Sequence, residues 1–248
     1  MSDWPITTER YVAFLDVMGF KHLLKTLAPG EMYRIMKALH DRARMAEKQA
    51  KGMLGVTDTG TPKSEKKRTG IPFLQVAQFS DSVIAITRDD SPVSSISVRL
   101  VAMGFIFEGL SARVPLRGAI ARGFCTADFE HSIFYGQPIV DAYQLGEDQQ
   151  WYGVAEHESC EPIANAPSLR EIQSNEIPLS EPYYVPLKSG NRDLCVINWP
   201  VFIQSERELD ESLSAFVNAS DPKLHMYYRH TQAFALQSWR KYRRSSPS

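Results

Sequence analysis

Two aspartates stand out because the chain around them gives little reason to place them there. Residues 11–20, YVAFLDVMGF, surround Asp16 with apolar side chains. A carboxylate buried in such a stretch is costly without a partner. Asp81 follows 65 residues later in FSDSV. Brought together, two carboxylates repel, and each raises the other's pKa unless cations neutralise them. Hard divalent ions bind oxygen donors of this kind. Two such ions between two aspartates are a means of phosphoryl chemistry, because they stabilise both attacking and leaving oxygens. Arg117, near the head of LRGAIARG, offers a forked cation for phosphate. The amides from Met18 to Lys21, opening a helix, offer a phosphate cradle. Taken singly, Asp16 reads as a helix cap and Asp81 as a turn former. The conjunction of four elements is what points to chemistry.

These groups need elements to hold them. Residues 11–17 read as a strand, followed by Gly19 and a short helix with a polar register at Lys21, His22 and Lys25. From Glu31 the apolar positions Met32, Ile35, Met36, Leu39 and Ala43 recur at helical spacing, which predicts a helix to about residue 51. Residues 52–70, GMLGVTDTGTPKSEKKRTG, read as a mobile insertion. Two strands, 73–79 and 83–87, enclose Ser80-Asp81-Ser82 as a hairpin tip. A helix is expected over 94–110, a central strand over 116–126 and a helix from Gly136 to about residue 150. Strands are expected at 151–154 and 194–199, with a final helix over 222–242. The order predicts an α+β fold with a largely antiparallel sheet and helices on its outer face. If the strands ending at Asp16 and flanking Asp81 are neighbours, both carboxylates meet at one end of the sheet.

Composition narrows the class. The chain has 248 residues, 43% hydrophobic and 23% charged, with a formal net charge of -1. That balance gives no general pull toward nucleic acid or an anionic membrane. No uninterrupted apolar run approaches the roughly 20 residues of a membrane span. MSDWPITTER lacks a basic-then-apolar signal pattern. Three scattered cysteines, Cys125, Cys160 and Cys195, lack metal-ligand spacing and read as reduced thiols. The expected location is the cytoplasm, with no nucleic-acid or membrane partner. The dispersed histidines do not form the i, i+4 pair of a helical zinc site.

FLDVMGF, FSDSVI, LRGAIARG and YGQPIVDAYQLG, in this order, resemble the motifs of class III nucleotidyl cyclases over about residues 10–156. Within that family the likeness is closest to the pyrimidine cyclases of the Pycsar antiphage defence system. The resemblance implies a ferredoxin-like cyclase core over 1–160 and a C-terminal strand-and-helix extension over 161–248 packed on it. It implies that Asp16 and Asp81 bind two Mn²⁺ or Mg²⁺ ions and that the carbonyl of Val17 completes one metal site. Gly19 and Phe20 would hold the triphosphate through their amides, with Arg117 neutralising it and Lys21 nearby. Phe14, opening the motif, is assigned to the substrate. The family's head-to-tail assembly implies a homodimer with active sites between subunits.

Departures from the pattern are informative. The family's transition-state Asn and Arg fall on Val140 and Gln144. Arg122, or an arginine from the second subunit, is the available substitute. The adenine-reading Lys falls on Ala77 and its acidic partner near Ile133. Gln75, on the same strand face as Ala77, can donate to or accept from a pyrimidine edge. The expected reaction is conversion of UTP to 3′,5′-cyclic UMP and pyrophosphate, the cyclic nucleotide activating a separate effector in antiphage defence. The alternatives are a cytidylate or adenylate cyclase, or a catalytically inactive nucleotide-sensing module.

Overall fold

The computed structural model describes residues 4–53, 73–160, 178–219 and 224–243. Its central strand, β1 (Thr7–Val17), alternates between two environments. Tyr11, Ala13, Leu15 and Val17 are buried on the face that packs against a long helix. Arg10, Val12, Phe14 and Asp16 take the opposite face. Burying each Leu or Val contributes about 1.5–3 kcal/mol. A slip of one residue would exchange Leu15 for Asp16 in the core, so the register is firmly set.

Strands β2 (Leu74–Phe79) and β3 (Ser82–Thr87) form a hairpin, with Phe79 opposite Ser82. The two turn residues are Ser80 and Asp81, and Ser80 has the left-handed φ of 55° that such short turns require. On the other side of β1 lies β4 (Leu116–Asp128), whose far end pairs with β5 (Ile133–Gly136). The sheet continues through β6 (Val154–Glu156), with β7 (Ser180–Val185) outside β8 (Arg192–Ile197), in the order β2-β3-β1-β4-β6-β8-β7. Among the described residues the β4–β6 pairing is parallel and the others are antiparallel.

Among the described residues six α-helices dress this sheet: α1 (Phe20–Thr26), α2 (Pro29–Met53), α3 (Pro92–Ala112), α4 (Gln137–Asp148), α5 (Glu206–Ala219) and α6 (His225–Arg243). Ser91 caps α3 through its side chain and Pro92 follows it, the usual grammar of a helix start. By length and composition α3 could span a bilayer, with mean hydropathy 1.5, but most of it is buried in the protein. Uninterrupted apolar runs do not reveal this, because serines and Arg99 punctuate the helix.

The expectation of helices on one face needs correction. Arg99 of α3 stacks over Tyr11 at 5.8 Å, whereas Tyr143 of α4 meets Phe14 edge-on with ring centroids 5.2 Å apart. Adjacent strand residues point oppositely, so α3 and α4 cover opposite faces. Four elements have no counterpart in the sequence-based expectation: β5, β7, α5 and the short 3-10 helix Pro200–Phe202. The expected strand at 151–154 begins only at Val154. Trp151 instead fills an aromatic cluster with Phe234 at 5.0 Å and Tyr183 at 5.7 Å. The insertion expected at 52–70 lies outside the described residues, apart from Gly52 and Met53 at the end of α2.

Candidate active site

Antiparallel pairing places Asp16 between Ser82 on β3 and Arg117 on β4. Asp81 is the turn residue beside Ser82, and its carbonyl accepts from the Val17 amide at 3.1 Å. Strand geometry therefore brings Asp16, Asp81 and Arg117 to one end of the sheet. The Ser82 hydroxyl donates to Asp16 Oδ1 at 3.3 Å, and Arg117 Nη2 lies 3.7 Å from Asp16 Oδ2. Burial pushes the Asp16 carboxyl up to about 6; Arg117 and Ser82 oppose the rise, and Asp81 adds to it. Such a carboxylate gains from a cation brought beside it.

The remaining predicted residues fall around this centre. Gly19 takes φ 71° at the head of α1, a conformation that glycine adopts at little cost. It lets the chain leave β1 and enter the helix at once. The Phe20 ring packs on the core, while Lys21 is exposed. The expected cradle loses one member: the Met18 amide donates to the Pro115 carbonyl at 2.9 Å. A seven-residue α1 adds little dipole of its own.

Along the α4-side face the register builds parallel rows. Asp16 shares its row with Ser82, Phe79 and Arg117. The next row holds Phe14, Ile84, Ala77 and Ala119, and the one beyond holds Val12, Ile86 and Gln75. Rows are about 7 Å apart, two strand residues. An apolar floor thus runs from the carboxylates to Gln75, with Phe14 as part of it. Val140 and Tyr143 on α4, and Phe79 on β2, remain 44%, 48% and 86% exposed.

Arg122 does not serve this site. It is five residues along β4 from Arg117, hence on the opposite face, and it pairs with Asp90 at 2.6 Å and Glu9 at 3.2 Å. Ile133 lies on exposed β5, paired opposite Asp128. One residue escaped the sequence reading altogether: Glu147, near the end of α4, forms a direct ion pair with Arg117 Nη2. Its signal was available, since positions 140, 144 and 147 share a helix face. Gly118 lets β4 approach β1 closely. A Cβ on Gly118 would meet the Phe14 carbonyl at 2.3 Å, and one on Gly146 would lie 3.5 Å from Gly118 Cα. Gly146 brings α4 into van der Waals contact with the β4 backbone, and Gln149 Nε2 donates to the Gly118 carbonyl at 2.7 Å.

The donor set at the sheet end is all oxygen: two carboxylates and nearby carbonyls. Among the described residues no group of three or more His, Cys, Asp or Glu is placed to hold a metal. Hard ions suit the oxygen donors that are present, and the buried Asp16 carboxylate would be stabilised by a cation beside it. The fit to divalent cations rests on that chemistry.

No protein-family model and no curated protein sequence matches the chain. Solved structures to which it is similar include three cyclase-like chains. One is the catalytic core of a rhodopsin-guanylyl cyclase with converted specificity, in complex with ATPalphaS. Identity there is 13% and the TM-score 0.46, covering 78% of this chain and 98% of that one. A bacterial light-regulated adenylyl cyclase is 11% identical with TM-score 0.44, covering 87% and 100%. A class III adenylyl cyclase-like ATP-binding protein from Pseudomonas aeruginosa is 13% identical with TM-score 0.33, covering 95% of this chain and 43% of that one.

Proposed function

We propose that the protein is a nucleotidyl cyclase that converts a pyrimidine nucleoside triphosphate, UTP ahead of CTP, to its 3′,5′-cyclic monophosphate and pyrophosphate. The observation that carries this reading is the meeting of Asp16, Asp81 and Arg117 at one sheet end. Asp16, Asp81 and the Val17 carbonyl would hold Mn²⁺ or Mg²⁺, two ions per site. When bound, these ions supply neutralisation of the phosphates and a lowered pKa for the ribose 3′-hydroxyl. The 3′-hydroxyl gives its proton to solvent, its oxygen bonds to the α-phosphorus, and the bond from that phosphorus to the α–β bridging oxygen breaks to release pyrophosphate. Arg117 offers its fork to phosphate oxygens. The Gly19 and Phe20 amides approach the triphosphate, with Lys21 beside them. Phe14, Ile84 and Ala77 form a half-buried apolar floor beside the reacting end. Cytoplasmic action and a role in antiphage signalling, through an effector that reads the cyclic product, follow from the motif likeness to the Pycsar enzymes.

The base assignment rests on that likeness and on Gln75 and Ala77. An apolar position discriminates mainly by size, whereas a hydrogen-bonding site rejects the analogue that leaves its groups unpaired. Ala77 gives adenine no side-chain partner, and Gln75 can meet either pyrimidine edge. With the four nucleoside triphosphates at equal concentration and Mn²⁺, cyclic UMP should dominate over cyclic CMP, with purine products far behind. Predominant cyclic AMP or cyclic GMP would overturn the pyrimidine assignment. Predominant cyclic CMP would overturn only the choice of uracil. Absence of any cyclic product would favour the nucleotide-sensing alternative, to which Val140 and Gln144 lend weight.

Assembly belongs to the same proposal. Phe79, Val140 and Tyr143 expose apolar surface on the face that carries Asp16. A second copy covering that face would bring Gln144 and its neighbours to the other site, and the symmetry of a two-fold dimer would make two such sites. Sedimentation should show a dimer at micromolar concentration. A monomer with full activity would contradict it.

A further inference from the structure

Arg117 has two carboxylates within reach and is committed to one. Its Nη2 is bonded directly to Glu147 and its Nη1 donates to the Glu147 carbonyl at 3.3 Å. Asp16 lies farther, at 3.7 Å, beyond hydrogen-bond distance. The Arg117 side chain is only 9% exposed, and its Nε has no hydrogen-bond partner among the described residues. The Glu147 side chain, 41% exposed, has room to swing outward.

The backbone under Glu147 is fixed by the hairpin between β7 and β8. Lys188 Nζ donates to the Glu147 carbonyl, the Lys188 amide donates to the Asp148 carbonyl at 2.7 Å, and Ser189 bonds the Asp148 carboxylate through its amide and its hydroxyl. Leu187 forms a bridge to Gln149. The α4 terminus is thus anchored while the Glu147 carboxylate stays movable.

We propose that Glu147 is a positioning residue that parks Arg117. In the empty site it holds the guanidinium off Asp16, leaving that carboxylate open to a divalent cation. When a polyphosphate arrives, its oxygens displace Glu147 from the guanidinium. The inference rests on the nucleotide-site reading above and deepens it. Without Glu147, Arg117 has one nearby carboxylate left, Asp16, and occupies the position that the cation needs. The same loss removes the competitor that phosphate must displace. The two ligands therefore respond in opposite directions to one substitution, which a purely structural role for Glu147 does not produce.

The test is calorimetric titration of the full chain, without turnover, using Mn²⁺ alone and pyrophosphate alone in the absence of metal. Charge-assisted hydrogen bonds of this kind are worth enough to change affinity about tenfold. Glu147→Gln should bind pyrophosphate about tenfold more tightly and Mn²⁺ about tenfold more weakly, on that same scale. Glu147→Asp should fall between the variant and the wild type. Glu147→Ala provides a second deletion should the amide find a new partner. Unchanged affinities, or both moving the same way, overturn the parking role while leaving the cyclase reading intact. A wild-type protein that binds neither Mn²⁺ nor pyrophosphate overturns both.

Discussion

Asp16→Asn should lower turnover in the proposed cyclisation by on the order of 10³-fold, since stabilisation by metal ions is worth several kcal/mol of barrier. The same change should make the metal-free protein more stable near neutral pH. These effects have a common cause. Asp16 is ionised in a place that disfavours the charge: its side chain is 18% exposed and its carboxyl is raised to about 6 from the usual 3.8. The folded state therefore holds a proton that the unfolded state releases between about pH 4 and 6. Over that window the native state binds more protons, so stability falls as pH rises. Above pH 6 the full penalty persists, at most about 3 kcal/mol for a shift of roughly two units. Asparagine keeps the shape and removes the charge.

In EDTA the variant's Tm should exceed the wild type's by about 5–10 °C at pH 7.5, for a chain of this size. The gap should close by pH 4, where wild-type Asp16 is protonated too. Asp81→Ala should lose turnover to a similar degree with its fold intact. Near wild-type turnover in either folded variant would sink the metal-binding assignment. An Asp16→Asn protein less stable than wild type at both pH values would remove the electrostatic account of the site.

The site's centre was legible because it depends on local grammar. An apolar strand, an acid, a glycine and a polar helix face place Asp16 at a strand end. A two-residue turn between β-branched runs places Asp81 at a hairpin tip. Their meeting required only that β1 and β3 be neighbours, which they are. What the sequence concealed was non-local. Arg122 and Arg117 occupy one strand and look alike in the sequence, but an odd separation sends them to opposite faces. Glu147 lies on a helix that meets β4 only through the fold, with Gly146 against the Gly118 backbone 28 residues away in sequence. Strand β7 was hidden because Ser180–Val185 contains Pro182, which demotes a sequence run in any strand reading. It is tolerated on the sheet's outer strand. Helix α5 had the apolar pair Leu209 and Leu213 at helical spacing, both fully buried, yet acidic and polar residues surround them.

Breaking the ion pair beneath the sheet should have the largest effect on stability. Arg99 of α3 and Glu156 of β6 are each 2% exposed, and they form a fork of two bonds at 2.8 and 2.7 Å. Ser180 donates to the same carboxylate, the Ser95 carbonyl accepts from Arg99 at 3.1 Å, and Tyr11 lies under the guanidinium. Burial lowers the Arg99 pKa, but Glu156 outweighs it and holds that pKa above its ordinary value. The fully bonded pair need not add much to stability, because both charges lost their hydration to reach this position. Removing one partner is different, since it strands the other charge in the core. Arg99→Met should cost about 3–5 kcal/mol, which lowers Tm by about 10 °C in a protein of this length. Glu156→Gln and Glu156→Leu should cost at least as much, because the guanidinium keeps its charge and is left in the core without a counter-ion. The double variant Arg99→Met, Glu156→Leu should recover much of the loss, leaving mainly Ser95 and Ser180 to find new partners. A double-mutant cycle on urea unfolding measures this directly. If Arg99→Met lost less than about 1 kcal/mol, or the double variant fell by the sum of the singles, the two charges would be solvated independently. In that case α3 would be held on the sheet by its apolar contacts alone.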